Sequence, residues 1–398
     1  MDLSKVLSLA PTPLANAFVT AEELAREQRR YPLDLWLCRA CGHVQLLDVV
    51  DPRILYEHYV YVSGTSPVFV RHFEAYAGYV AERFRPPRGG LVVDIGSNDG
   101  TLLGFFQRAG NRVIGIEPAQ EISEASRRSG IPAITGFFTP ELAAQIAGEH
   151  GPASVITANN VLAHIDDLDA VVRGIERLLA PEGVFVFEVS YLVDVLEKTL
   201  FDTIYHEHVD YHSVEPLVPF FARRGLELIE ATRVDSHGGS LRGVVQRAGG
   251  PHAVGASVLD AIAHEQRMKL REESTFHAFD GHIRDLGVRL VRLLRELKSE
   301  GRRVAGFGAP AKATTLLYQL GIEPGMIDFI VDDSPLKQGR YSPGMHIPVV
   351  PAQALYERRP DYVLLLAWNF AQPIIAKHAA FREAGGRFIV PLPAVQVH

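Results

Sequence analysis

Four consecutive residues, Tyr205-His206-Glu207-His208, put a phenol, two imidazoles and a carboxylate on one short stretch of chain. An imidazole titrates near pKa ~6.5, so at neutral pH it can accept a proton, and a carboxylate beside it can fix its tautomer and raise its basicity. Such a set suits removal of a proton from a weak acid and return of one to a product, with the Tyr205 hydroxyl as a donor. His164 follows the apolar run Val161-Leu162-Ala163 and adds another imidazole, while Asp210, Tyr211 and His212 continue the polar loop. Two His and a Glu also ligate metals. Side chains at i and i+2 make a poor helix-face site, however, and no third ligand is spaced to complete one. With 16 histidines in 398 residues, several must be structural or solvated.

Two glycine loops accompany this cluster. In the first, Leu91-Val92-Val93-Asp94-Ile95-Gly96-Ser97-Asn98-Asp99-Gly100-Thr101, an apolar strand ends near an acid and turns through G-x-x-x-G into a helix. The spacing is not the G-x-G-x-x-G that brings a pyrophosphate onto a helix N-terminus, and the acid would repel one. A ligand with a positive centre suits it better. The next strand ends Ile114-Gly115-Ile116-Glu117, which places a carboxylate where it can accept both hydroxyls of a ribose. Ribose plus a cationic centre describes S-adenosylmethionine, although each feature alone also fits an ordinary strand-end carboxylate. The second loop, Val304-Ala305-Gly306-Phe307-Gly308-Ala309-Pro310-Ala311-Lys312, is a strand running into G-x-G-x-x-A and a helix with a Lys in its first turn. It fits the dinucleotide fingerprint: backbone amides and Lys312 would hold a diphosphate, and Asp332 or Asp333 would meet a ribose. Read alone, this loop admits NAD as readily as another diphosphate ligand.

The elements that must position these groups alternate in type. Strand-like runs Leu91 to Ile95, Arg112 to Ile116, Ile131 to Ile134, Ala153 to Thr157 and Val184 to Glu188 alternate with helical ones, which predicts a parallel, doubly wound sheet. Ahead of it a helix starts at Ser66-Pro67 and aligns Phe69, Phe73, Tyr76, Ala77, Val80 and Phe84 on one face. Leu226 to Val234 and Leu241 to Arg247 read as strands of an insertion, spanning about 190 to 250, on top of the sheet. A helical region, Ser257 to Glu300, leads to a second βα series at Val304 to Phe307, Ile327 to Val331, Tyr362 to Leu366 and Arg387 to Val390. A capping box at Thr20 and Glu23 opens a short helix, Ala21 to Gln28. The domains expected are a small irregular module at 1–65, a first α/β domain at 66–255 and a second Rossmann-like half at 256–398.

Composition narrows the field. At 47% apolar, 22% charged and net charge −7 the chain reads as an ordinary globular protein, without the cationic field that binds nucleic acid or anionic lipid. No run reaches the roughly 18 apolar residues a spanning helix needs, and Met1-Asp2-Leu3-Ser4 lacks the plan of a signal peptide, so a cytoplasmic protein is expected. The only cysteines, Cys38 and Cys41, form a C-x-x-C that excludes a disulfide framework and leaves metal, redox or accident.

Asp94 to Gly100 with Glu117 resembles the first two motifs of class I S-adenosylmethionine methyltransferases. Ala158-Asn159-Asn160-Val161-Leu162-Ala163-His164-Ile165 resembles the fourth-strand motif of a narrower group, the C-methyltransferases of nucleotide-linked ketodeoxysugars. The likeness continues through Thr203-Ile204-Tyr205-His206-Glu207-His208, His237-Gly238-Gly239-Ser240-Leu241-Arg242 and Gly306 to Lys312. It resumes at Lys337 to Gly344 and Ala367-Trp368-Asn369-Phe370, and so covers nearly the whole chain.

The resemblance implies a class I methyltransferase domain, a C-terminal Rossmann-like domain and a small N-terminal module, with the active site between the two larger parts. It implies methyl transfer to a carbon beside the keto group of an NDP-4-keto-6-deoxysugar, at C3 with C5 as the variant, in deoxysugar biosynthesis. Such transfer needs a base and an oxyanion partner, because the carbon reacts as an enolate. By resemblance His208 is the base, Glu207 orients it and Tyr59 closes over the site; His164, at the carboxyl end of the fourth strand, and Tyr205, through its hydroxyl, are candidates for holding the oxygen. Asp94, Gly96, Asn98, Gly100, Glu117, Asn159 and Asn160 would hold the methyl donor. Gly306, Gly308, Lys312, Asp332 and Arg242 would hold the nucleotide sugar. Against these stand an NAD-dependent sugar-nucleotide oxidoreductase and a non-catalytic nucleotide-binding protein. Related enzymes carry a second C-x-x-C pair ahead of the segment matching Leu7 to Asn16, and it is missing here, so zinc at Cys38 and Cys41 stays open. The oligomeric state is not legible.

Overall fold

The computed structural model describes residues 2–56, 64, 67–236 and 238–398, so Tyr59, Ser66 and His237 lie outside the described residues. The N-terminal module is an antiparallel sheet of β1 (Leu3–Thr12), β2 (Tyr31–Cys38) and β3 (Val44–Leu46). Along β2 the residues Leu33, Leu35 and Leu37 are buried while Asp34 and Trp36 are half-buried, the period-two pattern of a sheet with one core face. The helix expected from Ala21 to Gln28 is only a 3₁₀ turn, Ala21–Glu23. The Thr20 amide donates to Glu23 as the capping box requires, but no residue of the turn is buried, so no apolar face extends it.

The helix Pro67–Phe84 buries Tyr76, Ala77 and Val80 against Val92, Val155, Val186 and Val244. Beneath it lie β4 (Leu91–Ile95), β5 (Arg112–Glu117), β6 (Ala133–Thr135), β7 (Ala153–Asn159) and β8 (Leu179–Ser190), all parallel. Next comes β9 (Asp210–Tyr211), which joins the N-terminal sheet by pairing with β3. The hairpin β10 (Leu226–Val234) and β11 (Ser240–Arg247) corrects the expected insertion. Both strands belong to the sheet, in the order β10-β11-β8-β7-β4-β5-β6. The reason is visible in β11, whose Leu241, Val244, Val245 and Gln246 are buried on both faces, as a strand inside a covered sheet must be. Of the expected insertion, the segment between β8 and β10 stays outside this sheet.

The region expected as one long helix is two, Ala256–Arg267 and Glu273–Ser299. Lys269 between them takes the left-handed φ of 58° that closes a helix. The second half follows as β12 (Val304–Phe307), β13 (Ile330–Val331), β14 (Val349–Val350), β15 (Tyr362–Leu365), β16 (Arg387–Val390) and β17 (Gln396–Val397). Its order is β14-β13-β12-β15-β16-β17, parallel except for β17. In both sheets the first strand, β4 or β12, lies between the second and a later one. Each glycine loop therefore opens at a switch point, where doubly wound sheets hold ligands.

Candidate active site

At the first loop the chain turns through Gly96 with φ 70°, and a Cβ there would lie 2.4 Å from Val161 Cγ2. Only glycine permits that approach. Asp94 is buried and accepts the Thr157 hydroxyl at 2.6 Å; desolvation, with the nearby Glu117, pushes its carboxyl up to about 7. Glu117 Oε2 accepts the Asn98 amide and Oε1 the Ala119 amide, both at 2.9 Å, so the acid at the end of β5 braces the loop after β4. Burial raises its pKa as well. Asn98 and Asn160 have φ of 50° and 55°, and Gly100 has φ 78°. The Ser97 hydroxyl and both amide atoms of Asn159 are buried at this edge without a hydrogen-bond partner among the described residues. A buried polar rim of this kind fits S-adenosylmethionine: Glu117 would meet its ribose, the Asp94 side its cationic part, and Ser97 and Asn159 offer unused hydrogen-bonding capacity.

The base-bearing segment departs from the sequence reading in one respect. His208 Nδ1 lies 2.7 Å from the Thr203 carbonyl, which can only accept, so the proton sits on Nδ1 and the lone pair on Nε2. The Tyr205 hydroxyl lies 3.1 Å from Nε2, and the His164 ring is 5.0 Å from that of His208. Glu207 does not orient His208: its Oε1 accepts from Asn16 Nδ2 at 2.8 Å, because successive side chains of the turn point apart. The His208 side chain is half-buried, and desolvation pushes its pKa down to about 4. Burial pushes Glu207 up to about 7 against the Asn16 bond. Asp210, Tyr211 and His212 are buried, with Asp210 and Tyr211 forming β9 and Asp210 held by His43 at 2.6 Å.

The segment is gripped from three sides. His206 Nε2 donates to the Tyr31 and Pro32 carbonyls of the N-terminal module, the Val209 amide to Ala163, and the Thr315 hydroxyl of the C-terminal half to Ile204. The N-terminal module thus contributes a side chain, Asn16, to the site. Sequence reasoning missed Asn16, Thr203 and Asp202, although each sits in or beside a quoted motif. A backbone carbonyl that fixes a tautomer leaves no mark in residue types.

At the second loop Gly308 has φ 84°, and a Cβ would meet that of Ala367 at 2.6 Å. A Cβ at Gly306 would press on Ile330 and Leu366. Asp332 Oδ2 accepts the Ala309 amide at 2.6 Å and Oδ1 the Ser334 amide at 2.8 Å, so one amide expected to face a diphosphate already has a partner. Lys312 is turned inward, 3.5 Å from Asp202 Oδ2 and 4.5 Å over the Trp368 ring. Lys337, unassigned from sequence, donates to the Ala309 carbonyl at 2.7 Å. Asp333 is exposed and pairs with Lys377. Arg242 is corrected: lying opposite Glu188 across β11 and β8, its Nε bonds that carboxylate at 2.7 Å, and its guanidinium stacks between Tyr76 and Tyr79. With His72 on the other Glu188 oxygen at 2.6 Å, it braces the sheet under the helix Pro67–Phe84 and does not reach a nucleotide.

Zinc does not fit the described residues. No group of three or more His, Cys, Asp or Glu side chains is placed to hold a metal among them, and Cys38 and Cys41 supply two thiols. The loop between them is held instead by Arg271, which donates to the Ala40 carbonyl at 2.9 Å, and by an Arg39–Glu273 ion pair at 2.7 Å.

A doubly wound sheet whose first strand, with Asp94 near its end, runs into a glycine loop braced by Glu117 from the end of the next is the frame of an S-adenosylmethionine-dependent methyltransferase. In agreement, a methyltransferase domain model matches residues 69–231 and a C-methyltransferase C-terminal domain model residues 235–393; residues 1–56 match a zinc binding domain model, although the described residues supply only two thiols of such a site. The chain belongs to the C-methyltransferase family: it is 37% identical over 396 residues to C-methyltransferase NovU of Streptomyces niveus, across 100% of this chain and 94% of that protein. The ubiquinone biosynthesis O-methyltransferase of Escherichia coli is 32% identical over 111 residues, 27% of this chain and 45% of that one. A solved S-adenosylmethionine-dependent methyltransferase from Clostridium acetobutylicum superposes with TM-score 0.37 at 12% identity, covering 45% of this chain and 92% of its own. Among the described residues no helix is long and apolar enough to cross a membrane.

Proposed function

We propose that this C-methyltransferase acts on C3 of a nucleoside-diphosphate-linked 4-keto-6-deoxysugar in deoxysugar biosynthesis. The observation that carries the reading is His208, a neutral imidazole fixed with its lone pair on Nε2, beside Tyr205 and His164. Carbon becomes a nucleophile here only if a proton leaves it while a neighbouring oxygen takes the charge. His208 Nε2 removes the proton from C3, and the pair left behind delocalises onto the C4 oxygen. Tyr205 and His164 hold that oxygen, Tyr205 through its hydroxyl. Glu207, kept near 7 by burial and steadied by Asn16, lies one residue from the base and is the second group able to donate a proton near neutral pH. S-adenosylmethionine, held by Asp94, Gly96, Asn98, Gly100, Glu117, Asn159 and Asn160, supplies the electrophilic methyl group. The nucleotide end lies along the second loop at Gly306 and Gly308, its charge met by Lys312 and Lys337 and its ribose by Asp332.

Incubating the enzyme with nucleotide ketosugars in deuterium oxide, without methyl donor, tests this. Exchange at C3, followed by addition of one methyl group when donor is added, is the expected result. Exchange at C5 would move the reaction to the other carbon beside the ketone. No exchange with any such sugar, by enzyme that binds the donor, would refute the substrate assignment.

A further inference from the structure

The two halves of the enzyme meet at one buried carboxylate that the chemistry above does not use. Asp202 has no exposed surface and sits on the 3₁₀ turn Phe201–Thr203 of the methyltransferase half. Its two polar neighbours come from the other half: Trp368 Nε1 donates to Oδ2 at 2.6 Å, and the Lys312 ammonium stands 3.5 Å from the same oxygen. Oδ1 has no hydrogen-bond partner among the described residues. The Lys312 side chain is only 13% exposed and packs over the indole ring. The residue next to Asp202 is Thr203, whose carbonyl fixes the His208 imidazole, and Ile204 is tied to the C-terminal half by Thr315.

We propose that Asp202, clamped by Lys312 and Trp368, is a positioning residue for His208, so that the C-terminal half sets the geometry of the base as well as holding the substrate. A buried ion pair is a poor source of stability, since a neutral pair of similar volume holds as well or better. What the pair does provide is direction: a carboxylate anchored at one oxygen fixes the turn, and the turn aims the Thr203 carbonyl at Nδ1. A displacement of about 1 Å at a reacting group costs on the order of 10²-fold in rate.

The catalytic part of this inference rests on the ketosugar reading; the geometric part does not. In ligand-free enzyme with ¹⁵N-labelled histidine, His208 should show the spectrum of an Nδ1-protonated ring. Asp202→Asn keeps an acceptor for Trp368 but loses the ion pair, and should give a mixture of tautomers; an unchanged His208 spectrum would overturn the proposal. With substrate, Asp202→Asn and Trp368→Phe should slow donor-free deuterium exchange by about 10- to 100-fold, with donor affinity as in wild type. The double variant Asp202→Asn, Lys312→Met removes the lone buried cation and should regain thermal stability without regaining the exchange rate at saturating nucleotide sugar, the condition that sets aside any contact of Lys312 with the diphosphate. If exchange recovers in step with stability, the pair is merely structural and the proposal falls. Failure of the substrate reading looks different: the wild type then exchanges no sugar, while the His208 spectra still decide the role of Asp202.

Discussion

The two glycine loops are built alike and charged in opposite senses. In each, a glycine with left-handed φ, Gly96 or Gly308, turns the chain where a side chain would collide with a neighbouring loop. In each, the acid ending the second strand accepts two backbone amides, one from the glycine loop and one two residues further on: Asn98 and Ala119 for Glu117, Ala309 and Ser334 for Asp332. The difference lies in what surrounds that frame. The first loop follows Asp94 and is rimmed by Ser97 and Asn159; the second follows Phe307 and is flanked by Lys312 and Lys337. A common scaffold thus suits a cationic methyl donor on one side and, in the function proposed above, an anionic handle on the other, with the His208 segment between them.

The sharpest way to break this picture is at the segment both halves grip. His208→Ala should lose about 10² to 10⁴ in rate, the usual worth of a general base. Both ligands should still bind, and donor-free deuterium exchange should vanish with methyl transfer. Because burial pushes His208 down to about 4, and Glu207 does not pair with it, the acid limb of the exchange rate should fall below the ordinary imidazole value. An acid limb above that value would mean that a carboxylate does stabilise the imidazolium. Wild-type exchange by His208→Ala would pass the role to His164 or Tyr205.

Removing the bracing acids tests whether the loops divide the ligands. Glu117→Ala should weaken S-adenosylmethionine binding by roughly 2 to 4 kcal/mol through two lost charge-assisted hydrogen bonds, and leave the nucleotide sugar alone. Asp332→Ala should do the reverse with a smaller effect, about 1 to 3 kcal/mol, since Lys312 and Lys337 still attract the diphosphate. Isothermal titration with donor and with UDP or dTDP reads both. If either variant weakened both ligands equally, the separation of the two halves would be wrong.

How much of this was legible in sequence depended on whether a residue acts through its type or through its place. The glycine loops and their acids stood out because residue type at fixed spacing dictates what they do, and most strands of both sheets fell where alternation placed them. The hairpin β10–β11 was recognised as two strands but not as part of the sheet, since antiparallel addition to β8 is a long-range pairing that local pattern does not encode. Arg242 read as a ligand because an arginine carries no sign of its partner, and Glu188 became that partner only through the β8–β11 register. Glu207 and His208 looked like a pair because they are adjacent, whereas the turn sends one to Asn16 and the other to Thr203.

The finest distinction between the loops is the acid that only the first one has. Asp94, pushed up to about 7 by desolvation with Glu117 adding to it, is half protonated near neutrality before the donor arrives. Its folded-state pKa lies above its ordinary 3.8, so it contributes stability at acid pH that is lost as pH rises from there through 7. A cationic ligand reverses this preference, because it favours the carboxylate. Donor binding should therefore release a proton, and donor affinity should fall as pH drops below 7, by up to about tenfold per unit if only the ionised form binds. Calorimetry at pH 6.5 in two buffers of different ionisation enthalpy reads the proton directly, and affinities between pH 6 and 8 read the slope. Asp94→Asn should bind more weakly at pH 8, with a flat profile. The second loop has no such acid, so nucleotide affinity should lack this dependence on Asp94. A donor affinity constant from pH 6 to 8 in the wild type would show that Asp94 does not face the cation and that the contrast between the loops lies elsewhere.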